Sequence, residues 1–218
     1  MYPGQTGQWA GMGAALAAAD PVIRAELQAW DESAARHGFT DLVSSLFGPR
    51  SADHLADTRF AQLAIGALQA AITAKLRAVG VEPDAVIGHS VGEVSAAHAA
   101  GVLTRDDAVR VLLARGNALH THATPGAMLA VAAGADEISV VLSATGLTRT
   151  GIAVRNGRRA CVLAGPPAEI DAATDLLAHW RTTRLPTAYS FHAPFLRGAA
   201  ADEVTAALSG LIPRPERC

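Results

Sequence analysis

The pentapeptide Gly88-His89-Ser90-Val91-Gly92 constrains this chain more than any other feature. It follows the short apolar run Ala85-Val86-Ile87, which sits behind Pro83-Asp84 and reads as a buried parallel strand. It precedes Val91 to Ala100, which reads as helix and stops at Gly101. Strand, tight turn and helix in that order demand a sharp reversal, and glycines at both ends of the turn permit it. Such a turn lifts Ser90 out of the strand toward a helix N-terminus, where unpaired backbone N–H groups, that of Val91 first, can stabilise an oxyanion. The alternative is an ordinary glycine-rich turn with no chemistry.

A serine hydroxyl is a weak nucleophile until a base takes its proton, so one of the eight histidines should serve Ser90. His192 is the candidate, because Tyr189-Ser190-Phe191-His192-Ala193-Pro194 is a short polar break where one pattern of elements ends and another resumes. His89 adjoins the serine and should point away from it. His98 lies further along the same helix, His120 and His122 fall at a helix end, and His37, His54 and His179 stand in polar surroundings. These read as surface or capping side chains. Gly4-Gln5-Thr6-Gly7-Gln8 is a second glycine-rich turn that could supply another oxyanion N–H from Gln5; it has neither a Walker lysine nor a third glycine for a dinucleotide fingerprint. Arg115, in the apolar stretch Val111-Leu112-Leu113-Ala114-Arg115, should be half-buried and seek a planar anion, either a substrate carboxylate or an acidic side chain of the protein itself.

The rest of the chain organises around these points. Residues 14 to 36 read as two helices, the second starting at Pro21 after Asp20. Asp57 to Val79 is one long amphipathic helix ended by Gly80, and Arg105 to Leu119 is another. Between Pro125 and Pro186 the texture changes. Strand Ala127–Ala133, helix Ala135–Thr145, strands Gly151–Arg155 and Ala160–Gly165, helix Ala168–Trp180 and strand Thr182–Leu185 give β-α-β-β-α-β, the order of a ferredoxin-like unit. One more helix follows Ala193. The expected fold is therefore α/β: an α/β-hydrolase-like parallel-sheet large subdomain over 1–124 and 187–218, with an inserted ferredoxin-like small subdomain over 125–186.

Composition narrows the function. A formal charge of −2, from 18 basic and 20 acidic residues, gives no footprint for nucleic acid or an anionic membrane. Cys161 and Cys218 are too few for a disulfide framework or structural zinc, and no ligand cluster suggests a metal. Met1-Tyr-Pro-Gly-Gln has no secretory character and no apolar run reaches the length of a spanning helix, so a cytoplasmic, membrane-free protein is expected.

Taken together, Pro3-Gly4-Gln5-Thr6-Gly7-Gln8-Trp9-Ala10-Gly11-Met12-Gly13, Gln62, Gly88-His89-Ser90-Val91-Gly92-Glu93, Ala96 to Leu103, Arg115-Gly116, Gly126-Ala127-Met128, Asn156 and Tyr189-Ser190-Phe191-His192 resemble the malonyl-CoA:acyl carrier protein transacylases and the acyltransferase domains of modular polyketide synthases. The resemblance runs the length of the chain. It implies that Ser90 takes an acyl group from coenzyme A and passes it to the phosphopantetheine thiol of an acyl carrier protein, in polyketide or fatty acid biosynthesis. His192 would be the base, Gln5 and Val91 the oxyanion donors, and Arg115 the holder of a free carboxylate on the acyl group. Gln62, His89 and Asn156 match positions that line or support the pocket, and no bound cofactor is implied.

In that family His-Ala-Phe-His accompanies malonyl units and Tyr-Ala-Ser-His accompanies methylmalonyl units. Tyr189-Ser190-Phe191-His192 mixes the two: Phe191 should crowd an α-methyl branch, and Tyr189 pulls the other way, so the donor is malonyl-CoA or methylmalonyl-CoA. The family pattern begins one strand earlier and continues beyond the histidine motif. A chain lacking the first strand and the C-terminal part is expected on that comparison, with adjacent polyketide synthase domains as partners and the third member of the triad unnamed. The competing functions are an acyl-thioester hydrolase on the same scaffold and a truncated, non-catalytic acyltransferase-like module.

Overall fold

A computed structural model describes residues 1–5 and 7–216; Thr6 and Cys218, both singled out above, lie outside the described residues, as does Arg217. The chain divides into two compact units, Met1–Asn117 with Val204–Cys218, and Ala118–Glu203.

The first unit is built from helices. Asp20 caps α2 (Pro21–Arg36) by accepting from the N–H groups of Val22 and Ile23, with Pro21 at the first helical position, and α1 (Ala14–Ala19) ends just before it. Buried residues Ile23, Leu27, Trp30 and Ala34 follow helical spacing and turn α2 toward α5 (Thr58–Ala78). Helix α5 starts on an Asp57 cap, ends as expected before Gly80 in the left-handed region, and buries Phe60 to Ala67 almost continuously. Helices α6 (Gly92–Ala99) and α7 (Arg105–His122) enclose one apolar core with Leu63, Val91, Val109 and Leu112.

Two elements escaped the sequence pattern. Helices α3 (Leu42–Phe47) and α4 (Ser51–Ala56) are six residues each, under two turns, too short for a period to show. The amide groups of Leu42 and Val43 at the start of α3 are satisfied by the Asp31 carboxylate of α2, a cap supplied from eleven residues away rather than by the local chain. A third difference concerns the expected strand at Ala85–Gly88. That run is not the buried strand expected, Ile87 being 65% exposed, and it forms a single parallel bridge, Tyr2 with Gly88, held by Tyr2 N–H to the Ile87 carbonyl at 2.8 Å and His89 N–H to the Tyr2 carbonyl at 3.0 Å. A ladder needs neighbours along its length, and here the pairing segment offers one residue.

The second unit carries the expected β-α-β-β-α-β order: β1 (Ala127–Val131), α8 (Ala135–Ser143), β2 (Gly151–Gly157), β3 (Ala160–Gly165), α9 (Pro167–Leu176) and β4 (Thr182–Arg184). Its sheet runs β2-β3-β1-β4, every neighbouring pair antiparallel, which is the ferredoxin-like arrangement. Leu129, Ile138, Leu163, Ile170 and Leu177 form its core. Helix α9 stops earlier than the apolar pattern suggests, and the helix expected after Ala193 is a 3-10 turn (Pro194–Arg197) followed by α10 (Ala199–Ala207).

Candidate active site

Ser90 has φ 54°, in the left-handed region that a side chain with a Cβ rarely adopts. Its neighbours show why the chain accepts this. A Cβ on Gly88 would stand 2.2 Å from the Glu93 nitrogen, and one on Gly92 would stand 2.2 Å from the Tyr2 carbonyl oxygen, so only glycine lets the turn close on the helix behind it and on the bridge beside it. The turn is fastened by Gly92 N–H to the His89 carbonyl and Glu93 N–H to the Ser90 carbonyl, both 3.0 Å. Val91 is fully buried with helical dihedrals and leads into α6, which fixes the direction of its N–H.

The Gly4–Gln5 turn packs directly on this elbow. A Cβ on Gly4 would stand 2.9 Å from the His89 carbonyl oxygen and 3.4 Å from the Ser90 Cβ. The Gln5 side chain is anchored in turn: its Oε1 accepts from Thr58 Oγ1 at 3.1 Å and from Gln62 Nε2 at 2.9 Å. Gln62, 1% exposed, accepts from Arg115 Nη1 at 3.2 Å through its own Oε1. A polar line thus runs from the Gly4–Gln5 turn through a buried amide to a half-buried guanidinium. Among the described residues Arg115 forms no ion pair, and its side-chain hydrogen bond goes to Gln62. Burial pushes the Arg115 pKa down from its ordinary value, and the charge of Glu93 opposes that shift. A carboxylate brought to this guanidinium would relieve the cost of burying it.

His89 is exposed and its ring lies against Gly4. With Gln5, Trp9, Met12, Leu68 and Gln69 it borders a cavity of about 440 Å³.

The second unit holds the remaining candidates. His192 has φ 60°; with Ser90 and Asp41 it makes up the non-glycine residues of positive φ among the described residues. Glycines do not flank it. The chain before it is tied down instead, since Ser190, fully buried, gives both its N–H (2.8 Å) and its hydroxyl (3.1 Å) to the Ala123 carbonyl. The chain after it turns through Pro194, whose ring would meet a Cβ on Gly151 at 2.7 Å. Tyr189 and Phe191 are both buried and stack face to face, ring centres 5.1 Å apart and 8° from parallel. Asn156 is exposed near the end of β2. The first unit therefore gathers Gln5, Gln62, His89, Ser90, Val91 and Arg115, and the second holds Asn156, Tyr189, Phe191 and His192.

The pattern missed three supports: Thr58, which holds Gln5; Ser190; and His120, whose Nδ1 lies 3.2 Å from the Tyr189 hydroxyl. Each acts through a partner distant in sequence, a relation no local motif encodes.

Comparison with known proteins turns this geometry into a family assignment. The sequence model of the acyl transferase domain matches residues 1–218. The chain belongs to the acyl transferase domain family. It is 36% identical over 225 residues to mycoketide-CoA synthase of Mycobacterium tuberculosis, covering all of this chain and 5% of that protein. It superposes on the acyltransferase domain from the second module of the salinomycin polyketide synthase with a TM-score of 0.89 at 33% identity, covering 99% of this chain and 50% of that one. A malonyl-transacylase solved in complex with its type II polyketide synthase acyl-carrier protein aligns at TM-score 0.87 and 26% identity, covering 98% of this chain and 70% of the other. The acyl transferase chain thus spans a small part of its curated relative and half of the salinomycin structure.

Proposed function

We propose that this acyl transferase domain moves a malonyl-type acyl unit from coenzyme A to the phosphopantetheine thiol of an acyl carrier protein, in polyketide or fatty acid biosynthesis. Ser90 Oγ attacks the thioester carbonyl while the imidazole of His192 takes its proton. The tetrahedral oxyanion is held by the N–H groups of Gln5 and Val91. Collapse breaks the carbon–sulfur bond, the departing thiolate recovers the proton from His192, and an acyl ester remains on Ser90. The carrier thiol then gives its proton to His192, attacks the ester and leaves with the acyl group as Ser90 is reprotonated. No bound cofactor enters this cycle.

One observation carries the proposal: the hydrogen-bonded line Gln5–Gln62–Arg115 beside a left-handed Ser90. It links the place where charge would develop to a cation that forms no ion pair among the described residues, which suits an acyl group with a second carboxylate. A hydrolase of monocarboxylic acyl chains would have no use for that guanidinium. His89, Gln62 and Asn156 would support the pocket. Tyr189 and Phe191 would flank the acyl chain, Phe191 disfavouring an α-methyl branch. The complex of a malonyl-transacylase with its carrier protein, and the relation to modular synthases, support a carrier protein and adjacent polyketide synthase domains as partners. Residues 125–186 would be the inserted small subdomain. No described helix is long and apolar enough to cross a membrane, and the cytoplasm is the proposed location.

Intact-protein mass spectrometry after brief incubation with malonyl-, methylmalonyl- and acetyl-CoA tests this. The expected result is a malonyl-sized adduct on the wild-type protein and none on Ser90→Ala. A folded sample that forms no adduct with any donor refutes the proposal for this chain.

A further inference from the structure

The segment before His192 rests on the end of α7 and the turn that follows it. Gly126 N–H donates to the Ala188 carbonyl at 2.8 Å, and Ser190 donates twice to the Ala123 carbonyl. A Cβ on Gly126 would come within 2.1 Å of the Ser190 nitrogen, so the two strands of chain are in direct contact. The two backbone–backbone bonds among them would survive many changes of sequence. They fix the path of the chain and leave the aromatic rings to be oriented by side-chain contacts.

Tyr189 and Phe191 stand on either side of the Ser190 anchor and stack on each other. One ring of that stack, Tyr189, has a side-chain partner in the last turn of α7: the Nδ1 of His120 lies 3.2 Å from its hydroxyl, with ring centres 6.3 Å apart. His120 is in turn held, since its carbonyl accepts from Thr124 Oγ1 at 2.8 Å. Both aromatic residues are below a tenth exposed, which leaves their rings little room to re-seat unless a neighbour changes. The relation His120 to Tyr189 to Phe191 is thus a chain of contacts from a helix end to the side chain adjoining His192.

From this we propose that His120 is a positioning residue for acyl selection: by holding the Tyr189 hydroxyl it sets the tilt of the stacked pair, and so the room Phe191 leaves for an α-substituent. The proposal rests on the reading of Tyr189 and Phe191 as walls of the acyl pocket. His120 itself need not touch the acyl group. Removing its ring should therefore change the choice between donors more than the chemistry. The side chain matters here as a hydrogen-bonding group at the Nδ1 position, which asparagine also presents and leucine does not.

The test compares rates of acyl-enzyme formation with malonyl-CoA and methylmalonyl-CoA, by time-resolved intact mass spectrometry, for the wild-type chain, His120→Leu, His120→Asn, Tyr189→Phe and the His120→Leu/Tyr189→Phe double variant. Discrimination by one methyl group spans about 10- to 200-fold, so loss of positioning should move the malonyl-to-methylmalonyl ratio by about tenfold. His120→Leu and Tyr189→Phe should shift the ratio alike, the double variant should go no further than either, and His120→Asn should restore most of it. Shifts that simply add in the double variant, or an unchanged ratio in His120→Leu, would overturn the positioning role while wild-type acylation stands. Absence of any adduct on the wild-type protein overturns the acyl-transfer reading itself, and this selectivity with it.

Discussion

Ser90 and His192 share nearly the same backbone conformation, φ 54° and 60°, yet the two units hold them there by opposite means. Ser90 is enforced by what is missing: Gly88 and Gly92 have no Cβ, so the turn can collapse onto the start of α6 and onto the Tyr2 bridge. His192 is enforced by what is added, a buried Ser190 bonded twice to the Ala123 carbonyl and a following Pro194 wedged against Gly151. Strain at a functional residue persists only where its surroundings over-determine it. The elbow does this within five residues. The histidine loop needs partners more than sixty residues away.

That contrast can be broken at several points. The largest effects should come from Ser90→Gly and His192→Gly, each of which removes a proposed reacting group and releases the left-handed strain. Ser90→Gly should abolish the acyl adduct, and His192→Gly should slow its formation by about 10²- to 10⁴-fold, as loss of a general base does. Both should melt no lower than wild type, since each releases a cost of order 1–3 kcal/mol. A fall in melting temperature for either would show that its side chain supports the fold rather than burdening it.

Next, Gly88→Ala and Gly126→Ala place a methyl group against backbone atoms 2.2 Å and 2.1 Å away, one behind the elbow and one beneath the histidine loop. Each should cost about 1–3 kcal/mol or more in urea titrations, because the obstructing atoms are backbone or fixed by it. In Gly126→Ala the damage should be accompanied by slower acylation, as Ser190 is displaced.

Arg115→Ala should lower the rate of malonyl transfer by roughly 10- to 100-fold, the worth of a hydrogen bond to a charged group, and leave acetyl transfer little changed. Equal losses with both donors would assign Arg115 to holding Gln62 instead of the substrate.

The smallest effect concerns acid. His98, in α6 just beyond the elbow, packs edge-on against Trp30 and donates a hydrogen bond from Nδ1 to the Leu103 carbonyl at 3.0 Å. Burial pushes its pKa below the ordinary histidine value, opposed by the Leu103 carbonyl and Glu26 and reinforced by Arg105 and Arg77. The unfolded chain then binds a proton near pH ~6.5 that the folded chain still refuses, so stability should fall as pH drops below that value and be flat above it. His98→Gln should flatten the profile measured by thermal melts across that range.

Much of this protein was legible in its sequence because the signals are local. The second unit could be read element by element, since each strand and helix has its own period and the β-α-β-β-α-β order admits few sheets; the sheet β2-β3-β1-β4 follows. The elbow could be read because steric need for glycine on both sides of a serine leaves a five-residue trace. Pro21 after Asp20, and Gly80 after the apolar face of α5, marked helix ends by the same kind of short-range chemistry.

Tertiary structure decided what depends on distant partners. Whether Ala85–Gly88 becomes a laddered strand depends on what lies beside it, and Tyr2 supplies one bridge. Helix α3 has its first amides met by the Asp31 carboxylate of α2, a partner the local sequence does not name. That Arg115 bonds to Gln62, which in turn bonds to Gln5, joins residues 53 and 57 positions apart that no local pattern connects. Sequence records the conformational demands of a few consecutive residues. The partner that satisfies a buried polar group is chosen only when the whole chain packs, because its energy depends on distance through space and not along the backbone.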